Sequence, residues 1–231
     1  SPLRDVYKRQ DQGTVYGYAT AESEERLPLP LVYAHRICKR LDQAFTDGKI
    51  PELGPDGKAQ VTVEYDGETP KRIATIVVSV QHKPGINVED FNQRLISLVI
   101  SAACREIEID EHTEILINPS GRFVEGGPAA DTGLTGRKLM VDTYGGLAPH
   151  GGGAFSGKDP SKVDRTGAYM ARLIAKTVVD ARLAEECHVA ISYAIGKADP
   201  VAFHIDTFGT GQHSDWLLTD AAQAIFPLRP A

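Results

Sequence analysis

The sequence predicts an α+β fold made of two similar two-layer α/β domains, in which mainly antiparallel or mixed sheets are backed by helices. Three observations lead to this prediction: two pairs of β-branched segments, amphipathic segments beside each pair, and a long glycine-rich stretch between the halves. The length of 231 residues suits one large domain or two smaller ones. Apolar residues at 42% and charged residues at 24% are typical of a globular chain.

Two hairpins supply the predicted strands. The segments rich in β-branched residues are 60–65, 75–80, 188–195 and 201–207. Asp66-Gly67 separates the first pair and is a dipeptide typical of a tight hairpin turn, while Asp199-Pro200 joins the second pair. Each half of the chain is therefore expected to contain two antiparallel strands.

Four segments with apolar residues at helical spacing predict the helices. The first spans residues 31–45, with Pro30 at its start and Gly48 beyond its end, as is typical of helix termini. The third extends from about residue 164 to 186, and the fourth covers residues 215–225. The apolar face of the second is formed by Phe91, Leu95, Leu98, Val99 and Ala102. The inward stripe of the third is formed by Ala168, Ala171, Ala175 and Val178.

The overall charge argues against a general nucleic-acid binder. The chain has 25 basic and 31 acidic residues, a net charge of −6, whereas binding to phosphate backbones needs a basic surface. The longest uncharged apolar stretch, residues 95–104, is far shorter than the roughly 20 residues that cross a bilayer. The three cysteines lie far apart and indicate buried reduced thiols in a cytoplasmic protein. We therefore expect no nucleic-acid partner and no membrane partner.

Glycine and positive charge coincide between the two halves. Eleven of the 22 glycines lie in residues 121–157, and a loop this long usually serves function because ordering it is costly in entropy. Residues 122–165 contain six basic and five acidic residues, so this stretch is slightly positive within an acidic chain. Cations among exposed backbone amides are the groups that a polyphosphate needs.

Residues 152–158 nearly match the phosphate-binding pattern GxxxxGK[ST]. Asp159 stands where the pattern needs a hydroxyl for magnesium, and loop-like residues separate the match from the strand-like segment 139–144. A P-loop phosphotransferase is therefore disfavoured, and a glycine-rich structural turn is the simpler alternative. Such a turn leaves Lys158 and Lys162 unexplained, although these lysines could both face one anion.

Asp164 lies near the predicted start of the third helix. It either holds magnesium together with bound phosphates or caps the helix. Among the histidines, His35 and His82 are interpreted as structural, and no chemical role is assigned to His150.

Long strings of glycine and charge resemble the signature of the S-adenosylmethionine synthetase (methionine adenosyltransferase) family. The matching strings are Gly121-Arg-Phe-Val, Gly126-Gly-Pro, Asp131-Thr-Gly-Leu-Thr-Gly-Arg-Lys138, Val141-Asp-Thr-Tyr-Gly-Gly146 and His150-Gly-Gly-Gly-Ala-Phe-Ser-Gly-Lys-Asp-Pro-Ser-Lys-Val-Asp-Arg165. The resemblance continues outward through residues 11–20, 55–62 and 189–196, and it covers residues 11–230. Strings of this length are very specific.

The resemblance implies a family of three similar domains, of which this chain contains two. Residues 11–124 resemble the central domain and residues 125–231 a truncated C-terminal domain, while residues 1–10 are interpreted as a non-native edge. The family's N-terminal domain, with its His-Pro-Asp motif, potassium-binding Glu and gate loop, is expected to be missing. Glu125 and Gly57 depart from the residues usual in the family, but neither removes a charge that the chemistry needs.

The activity implied by the resemblance is formation of S-adenosylmethionine, phosphate and pyrophosphate from ATP, L-methionine and water. It implies Mg²⁺ and K⁺ as cofactors, and a homodimer or homotetramer with active sites at the subunit interface. The fragment alone is expected to be inactive, because it lacks the N-terminal domain. The alternative is a non-catalytic nucleotide-binding or assembly fragment.

The resemblance also assigns roles to individual residues. The predicted catalytic residues, all cations near the phosphates, are Lys58, Arg137, Lys138, Lys158 and Lys162. ATP binding is assigned to all of these cations except Lys162, and also to Asp56, Gly57, Arg122, Phe123, Asp131 and Ala154. The Phe123 ring would stack on adenine. Asp131 and Lys162 would contact methionine, Asp164 would hold the metal, and Asp11 would lie at the edge of the active site.

Overall fold

The computed structural model describes residues 12–107 and 109–230. Along the chain its elements are β1 (Gly13–Thr20), α1 (Leu29–Thr46), β2 (Leu53–Asp66), β3 (Thr69–His82), α2 (Val88–Leu95), a π-helical turn (Ile96–Ile100), α3 (Ser101–Ala103), β4 (Glu114–Ile117), α4 (Leu139–Asp142), α5 (Val163–Asp180), β5 (Glu186–Tyr193), β6 (Ala202–Asp206) and α6 (Asp215–Ile225). The chain divides into two compact units. Of the described residues, we call those within 29–133 the central unit, and those within 12–28 and 134–230 the terminal unit.

In the central unit, the described strands form a mixed sheet in the order β2-β3-β4. The predicted hairpin at Asp66-Gly67 is confirmed and is longer than expected, and β4 adds to β3 in parallel. Helix α1 and the helical segment that starts with α2 cover this sheet. Their buried side chains, among them Tyr33, Phe91 and Leu95, pack with Ile73 and Ile76 of β3 in one apolar core.

In the terminal unit, the described strands form an antiparallel sheet in the order β1-β5-β6. The predicted second hairpin is confirmed as β5 and β6, whereas the pairing of β1 with β5 was not predicted. Helix α5 lies across this sheet and buries Ala171 and Ala175 against it, as the predicted inward stripe requires. Each unit thus has a sheet backed by helices, and the predicted fold class is confirmed.

The predicted helix over 164–186 ends earlier than expected, at Asp180. Arg182 has a φ of +58°, and the Leu183 N–H donates to the Val178 carbonyl at 3.0 Å. This hydrogen bond and the left-handed residue form a Schellman-type helix end. The residues that follow are then free to enter β5 at Glu186.

Two further predictions about local structure are wrong. The strand-like segment 139–144 forms α4 instead, and the buried Tyr144 hydroxyl after it accepts a hydrogen bond from the Tyr18 N–H at 3.1 Å. Leu98, expected on an inward helix face, is 44% exposed. It lies in the π-helical turn, whose extra residue per turn rotates the apolar face so that Ile100 is buried in its place, next to Val99, which is buried as predicted.

The boundary predicted between residues 124 and 125 separates the two sequence domains and stays a prediction. The compact units divide the chain differently, at residues 28/29 and 133/134. The difference arises at β1, because its hydrogen-bonded partner β5 belongs to the C-terminal part of the chain.

Candidate functional site

The predicted site residues lie in both units, and each group is described within its own unit. The central unit holds Asp56, Gly57, Lys58, Arg122, Phe123 and Asp131. The terminal unit holds Arg137, Lys138, Ala154, Lys158, Lys162 and Asp164. Asp11 lies outside the described residues.

In the central unit, the start of β2 is tied to the glycine-rich stretch. The Gly127 N–H donates to Asp56 Oδ2 at 2.9 Å. A Cβ atom placed on Gly126 would lie 2.9 Å from the Phe123 ring and 3.2 Å from Asp56 Oδ2. The absence of a side chain at position 126 therefore lets the Phe123 ring and the Asp56 carboxylate both approach this backbone segment. Two residues assigned to adenosine by the resemblance are thus brought together.

The charged members of the central group other than Asp56 share their exposure to solvent and differ in their contacts. Lys58, Arg122 and Asp131 are exposed, and no ion pair between described residues involves Lys58 or Arg122. The Asp131 carboxylate accepts the Gly133 N–H at 3.2 Å, which is a local turn within the glycine-rich stretch. Both cations are therefore available to an anionic ligand.

In the terminal unit, Lys158 Nζ forms an ion pair with Asp164 Oδ2. The side chains are 28% and 24% exposed, so the pair is partly shielded from solvent. A Cβ atom on Gly153 would lie 2.5 Å from Asp164 Cγ. The glycine run therefore passes directly over the carboxylate, and the predicted phosphate-binding lysine contacts the predicted metal-binding acid.

The backbone before Arg137 also reaches the glycine run. A Cβ atom on Gly136, which has a φ of +77°, would lie 2.5 Å from the Ala154 Cβ. Since only glycine fits at such a contact, residue 136 lets the segment carrying Arg137 and Lys138 lie against Ala154. Both cations are exposed. The structure thus gathers most of the terminal group around residues 152–158.

The start of α5 excludes one of the two interpretations of Asp164. The N-cap residue is Lys162, which makes no side-chain capping bond, and Asp164 is the second residue of the helix. Helix capping by Asp164 is therefore wrong. A carboxylate in the first turn is still favoured by the positive end of the helix.

The P-loop alternative also loses its structural context. A P-loop runs from a strand directly into a helix, but segment 139–142 is helical and α5 begins only at Val163. The Asp159 carboxylate accepts hydrogen bonds from the Ser161 hydroxyl and N–H, and these bonds lower the pKa of Asp159. Asp159 therefore shapes the turn before α5.

A cavity of about 240 Å³ lies in the terminal unit beside the Lys158–Asp164 pair. Its lining includes Tyr144, His150, Phe155, Asp164, Tyr169 and Arg172. His150 Nδ1 accepts the Gly152 N–H at 2.7 Å, and burial lowers the pKa of this histidine. A neutral ring is the form that can accept this bond. His150 therefore supports the glycine run, a role that the sequence analysis missed although the histidine directly precedes the run.

The residues around Asp164 suit magnesium that arrives with a polyphosphate. Within the described residues, no three His, Cys, Asp or Glu side chains come together in a way that could hold a metal ion. Magnesium is usually bound by one or two carboxylates together with substrate phosphates. Asp164 supplies one such carboxylate, and the side chain that it contacts in this structure is the Lys158 ammonium. None of the described helices has the length and apolar composition that spanning a bilayer requires.

Comparison with known proteins gives a consistent result over the chain. Residues 7–123 match the family model "S-adenosylmethionine synthetase, central domain", and residues 125–231 match "S-adenosylmethionine synthetase, C-terminal domain". The chain is 54% identical over 221 residues to proteins named S-adenosylmethionine synthase from two strains of Thermus thermophilus. The match covers 95% of this chain and 56% of each relative. The chain therefore spans about half the length of these curated relatives.

Proposed function

Because the chain belongs to the S-adenosylmethionine synthetase family, we propose that the complete protein is a methionine adenosyltransferase. It forms S-adenosylmethionine, phosphate and pyrophosphate from ATP, L-methionine and water. The observation that carries this proposal is the contact between Lys158 and Asp164 beside the glycine run, since a cation next to a carboxylate is a combination that suits a magnesium–triphosphate.

The difficult part of this reaction is the departure of the triphosphate leaving group. The methionine sulfur attacks C5′ of ATP, the bond from C5′ to oxygen breaks, and the whole triphosphate leaves. Water then cleaves the triphosphate to phosphate and pyrophosphate. A thioether sulfur is a neutral nucleophile and carries no proton to remove, so no general base is needed. Catalysis then depends on fixed positive charge near the departing triphosphate. We assign that charge to Lys58, Arg137, Lys138 and Lys158.

Asp164 is the residue that would hold Mg²⁺. A bound Mg²⁺ would supply positive charge to the phosphate oxygens. The Asp164 carboxylate would hold it, and the Lys158 ammonium would donate hydrogen bonds to phosphate oxygen. Lys162, exposed at the N-cap of α5, is assigned to the methionine side of the site together with Asp131.

The adenosine part is assigned to the residues that meet around Gly126. We assign adenine to the face of the Phe123 ring, on which it would stack. Asp56, which accepts the Gly127 N–H, and the adjacent Gly57 are assigned to the same part of ATP. The backbones of Arg122 and Ala154 complete this assignment. A homodimer or homotetramer with its active sites between subunits, and a requirement for K⁺, are part of the same proposal.

The complete protein, incubated with ATP, L-methionine, Mg²⁺ and K⁺, is expected to release phosphate and pyrophosphate together with S-adenosylmethionine. Product analysis by mass spectrometry and a phosphate assay measure the three products. The control omits methionine, which removes the nucleophile. Equal release of phosphate and pyrophosphate without methionine would mean that the protein is a triphosphate hydrolase and that the transferase proposal fails.

The second candidate function is a non-catalytic nucleotide-binding or assembly fragment, and the short span of the match favours it for the 231 residues alone. The remaining part of the family's length is expected to carry a histidine and a magnesium-binding aspartate. Losing positioned charges of this kind commonly lowers kcat about 10²–10³-fold per group.

We therefore expect the purified 231-residue chain to turn over less than about a hundredth as fast as the complete protein. Steady-state assays of both proteins at equal active-chain concentration measure this ratio. A cooperative thermal melt of the short chain is the control that shows it is folded. Turnover close to that of the complete protein would contradict the expectation.

A further inference from the structure

The end of β3 holds the backbone of a predicted adenosine-binding residue. The His82 N–H donates to the Phe123 carbonyl at 2.8 Å, and the Phe123 N–H donates to His82 Nε2 at 3.2 Å. Both backbone polar groups of Phe123 are therefore bound by one residue. Gln81 adds a third bond, from its side-chain Nε2 to the Val124 carbonyl at 3.1 Å.

The hydrogen bonds of His82 fix the state of its ring. Nδ1 lies 2.8 Å from the Lys83 carbonyl oxygen, which only accepts, so Nδ1 carries a hydrogen. Nε2 accepts from the Phe123 N–H, so it carries none. The imidazole is therefore neutral, with both nitrogens engaged. The residue is 8% exposed, and its ring lies 5.7 Å from that of Phe91 between centroids.

A cavity beside His82 borders the segment that His82 holds. A cavity of about 350 Å³ in the central unit is lined by His82, Phe91, Asn118 and Arg122. A segment that borders such a space has room to shift when a hydrogen bond that holds it is lost. The Phe123 ring lies close to Gly126, so a shift of the backbone would move the ring away from Gly126 and Asp56.

We propose that His82 is a positioning residue for nucleotide binding, acting through Phe123. Its neutral imidazole holds the Phe123 amide and thereby sets where the Phe123 ring and the Arg122 backbone meet the adenosine part of ATP. The inference rests on the proposed function, because it takes ATP as the ligand of this segment. His82 itself contacts no substrate.

Two amide substitutions in the complete protein separate the two bonds of the ring. In His82→Gln, the amide oxygen reaches the place of Nε2 and still accepts from the Phe123 N–H. In His82→Asn, the shorter amide reaches the place of Nδ1 and still donates to the Lys83 carbonyl, but leaves the Phe123 N–H without its acceptor. The same two changes at His35, which is exposed on α1, are the matched control.

The expected result is a difference between the two variants that is confined to the nucleotide. His82→Asn should raise the KM for ATP about tenfold, since a lost hydrogen bond can weaken binding by up to this factor, and leave the KM for methionine within about twofold. His82→Gln should restore the KM for ATP. Hydrogen exchange at the Phe123 amide, which does not depend on activity, should be faster in His82→Asn and unchanged in His82→Gln.

Several outcomes would overturn the inference. Equal KM values for ATP in both variants would do so, as would an equal rise for ATP and methionine, or Phe123 exchange that His82→Asn does not change. If the unsubstituted protein does not use ATP, the proposed function itself fails. That failure is visible before any variant is compared.

Discussion

Replacing Lys158 with alanine is expected to lower kcat of the complete protein about 10²–10³-fold while changing its stability by no more than about 1 kcal/mol. The Lys158 ammonium is proposed to face a triphosphate that gains negative charge as the C5′ bond breaks. The interaction is then stronger in the transition state than in the ground state. Its loss should therefore lower kcat more than it raises the KM for ATP.

The small effect on stability follows from the surroundings of Lys158. Its partner Asp164 keeps 24% of its side-chain surface exposed, so the carboxylate is not stranded in an apolar interior when the ammonium is removed. Asp164 also lies in the first turn of α5, where the helix favours negative charge with or without the lysine. Solvent and the N-terminus of α5 therefore both stabilise the Asp164 carboxylate when the lysine is removed.

Paired thermal melts and steady-state kinetics on three variants test this prediction. Arg137→Ala is expected to behave like Lys158→Ala, because Arg137 is an exposed cation assigned to the same phosphates. Lys39→Ala, an exposed lysine of α1, is expected to change neither kcat nor the melting temperature. A Lys158→Ala protein that melts far below the parent, or that keeps its kcat, would show that Lys158 is structural.

Elements whose geometry is encoded by adjacent residues were predictable from the sequence. The Asp66-Gly67 turn is one, because Gly67 adopts the left-handed backbone, with a φ of +61°, that a tight hairpin requires. The first predicted helix, with Pro30 at its start and Gly48 beyond its end, is another. It extends from Leu29 to Thr46, and Gly48 has a φ of +66°.

Features that depend on distant partners were not predictable in the same way. Residues of β1 pair with β5, as Gly13 does with Tyr193, and nothing in the composition of β1 identifies a partner so far along the chain. The end of α5 was missed because Arg182 is a residue that seldom adopts a positive φ, so no glycine marks the stop. Tertiary contacts, rather than local preference, decide both.

The candidate site shows the same division. Its cations were named from their place in a family signature, but the pairing of Lys158 with Asp164 depends on how the turn at Asp159 folds back onto α5. The support from His82 could be found only in three dimensions, because Phe123 is 41 residues away in sequence. A histidine at the end of a β-branched run is by itself a common structural residue.

A close approach of β1 to α5 in the terminal unit yields the prediction with the largest effect on stability. Gly17 of β1 is buried, and a Cβ atom added there would lie 2.0 Å from the Ala171 carbonyl carbon and 2.3 Å from the Arg172 nitrogen of α5. Because these atoms belong to the helix backbone, no side chain can turn away to make room. The strand and the helix would have to separate.

Gly17→Ala is therefore expected to destabilise the complete protein by about 3 kcal/mol or more and to lower its Tm. Part of the loss would come from Arg172, whose guanidinium donates to the Tyr18 and Arg26 carbonyls at 2.6 and 2.7 Å and would be displaced with α5. Thermal melts of purified protein measure the change.

Gly167→Ala is the matched control, since it adds the same methyl group from the helix side of the same interface. That methyl would meet the ends of the Val15 and Tyr193 side chains, at 3.0 and 3.1 Å, and side chains can shift. Alanine also favours the helix over glycine by about 1 kcal/mol, so the control should change Tm little. Adding Ala171→Gly should not rescue Gly17→Ala, because the clash is with backbone atoms that glycine keeps. A Gly17→Ala protein that melts with the parent, or one that Ala171→Gly rescues, would show that β1 and α5 do not meet through their backbones.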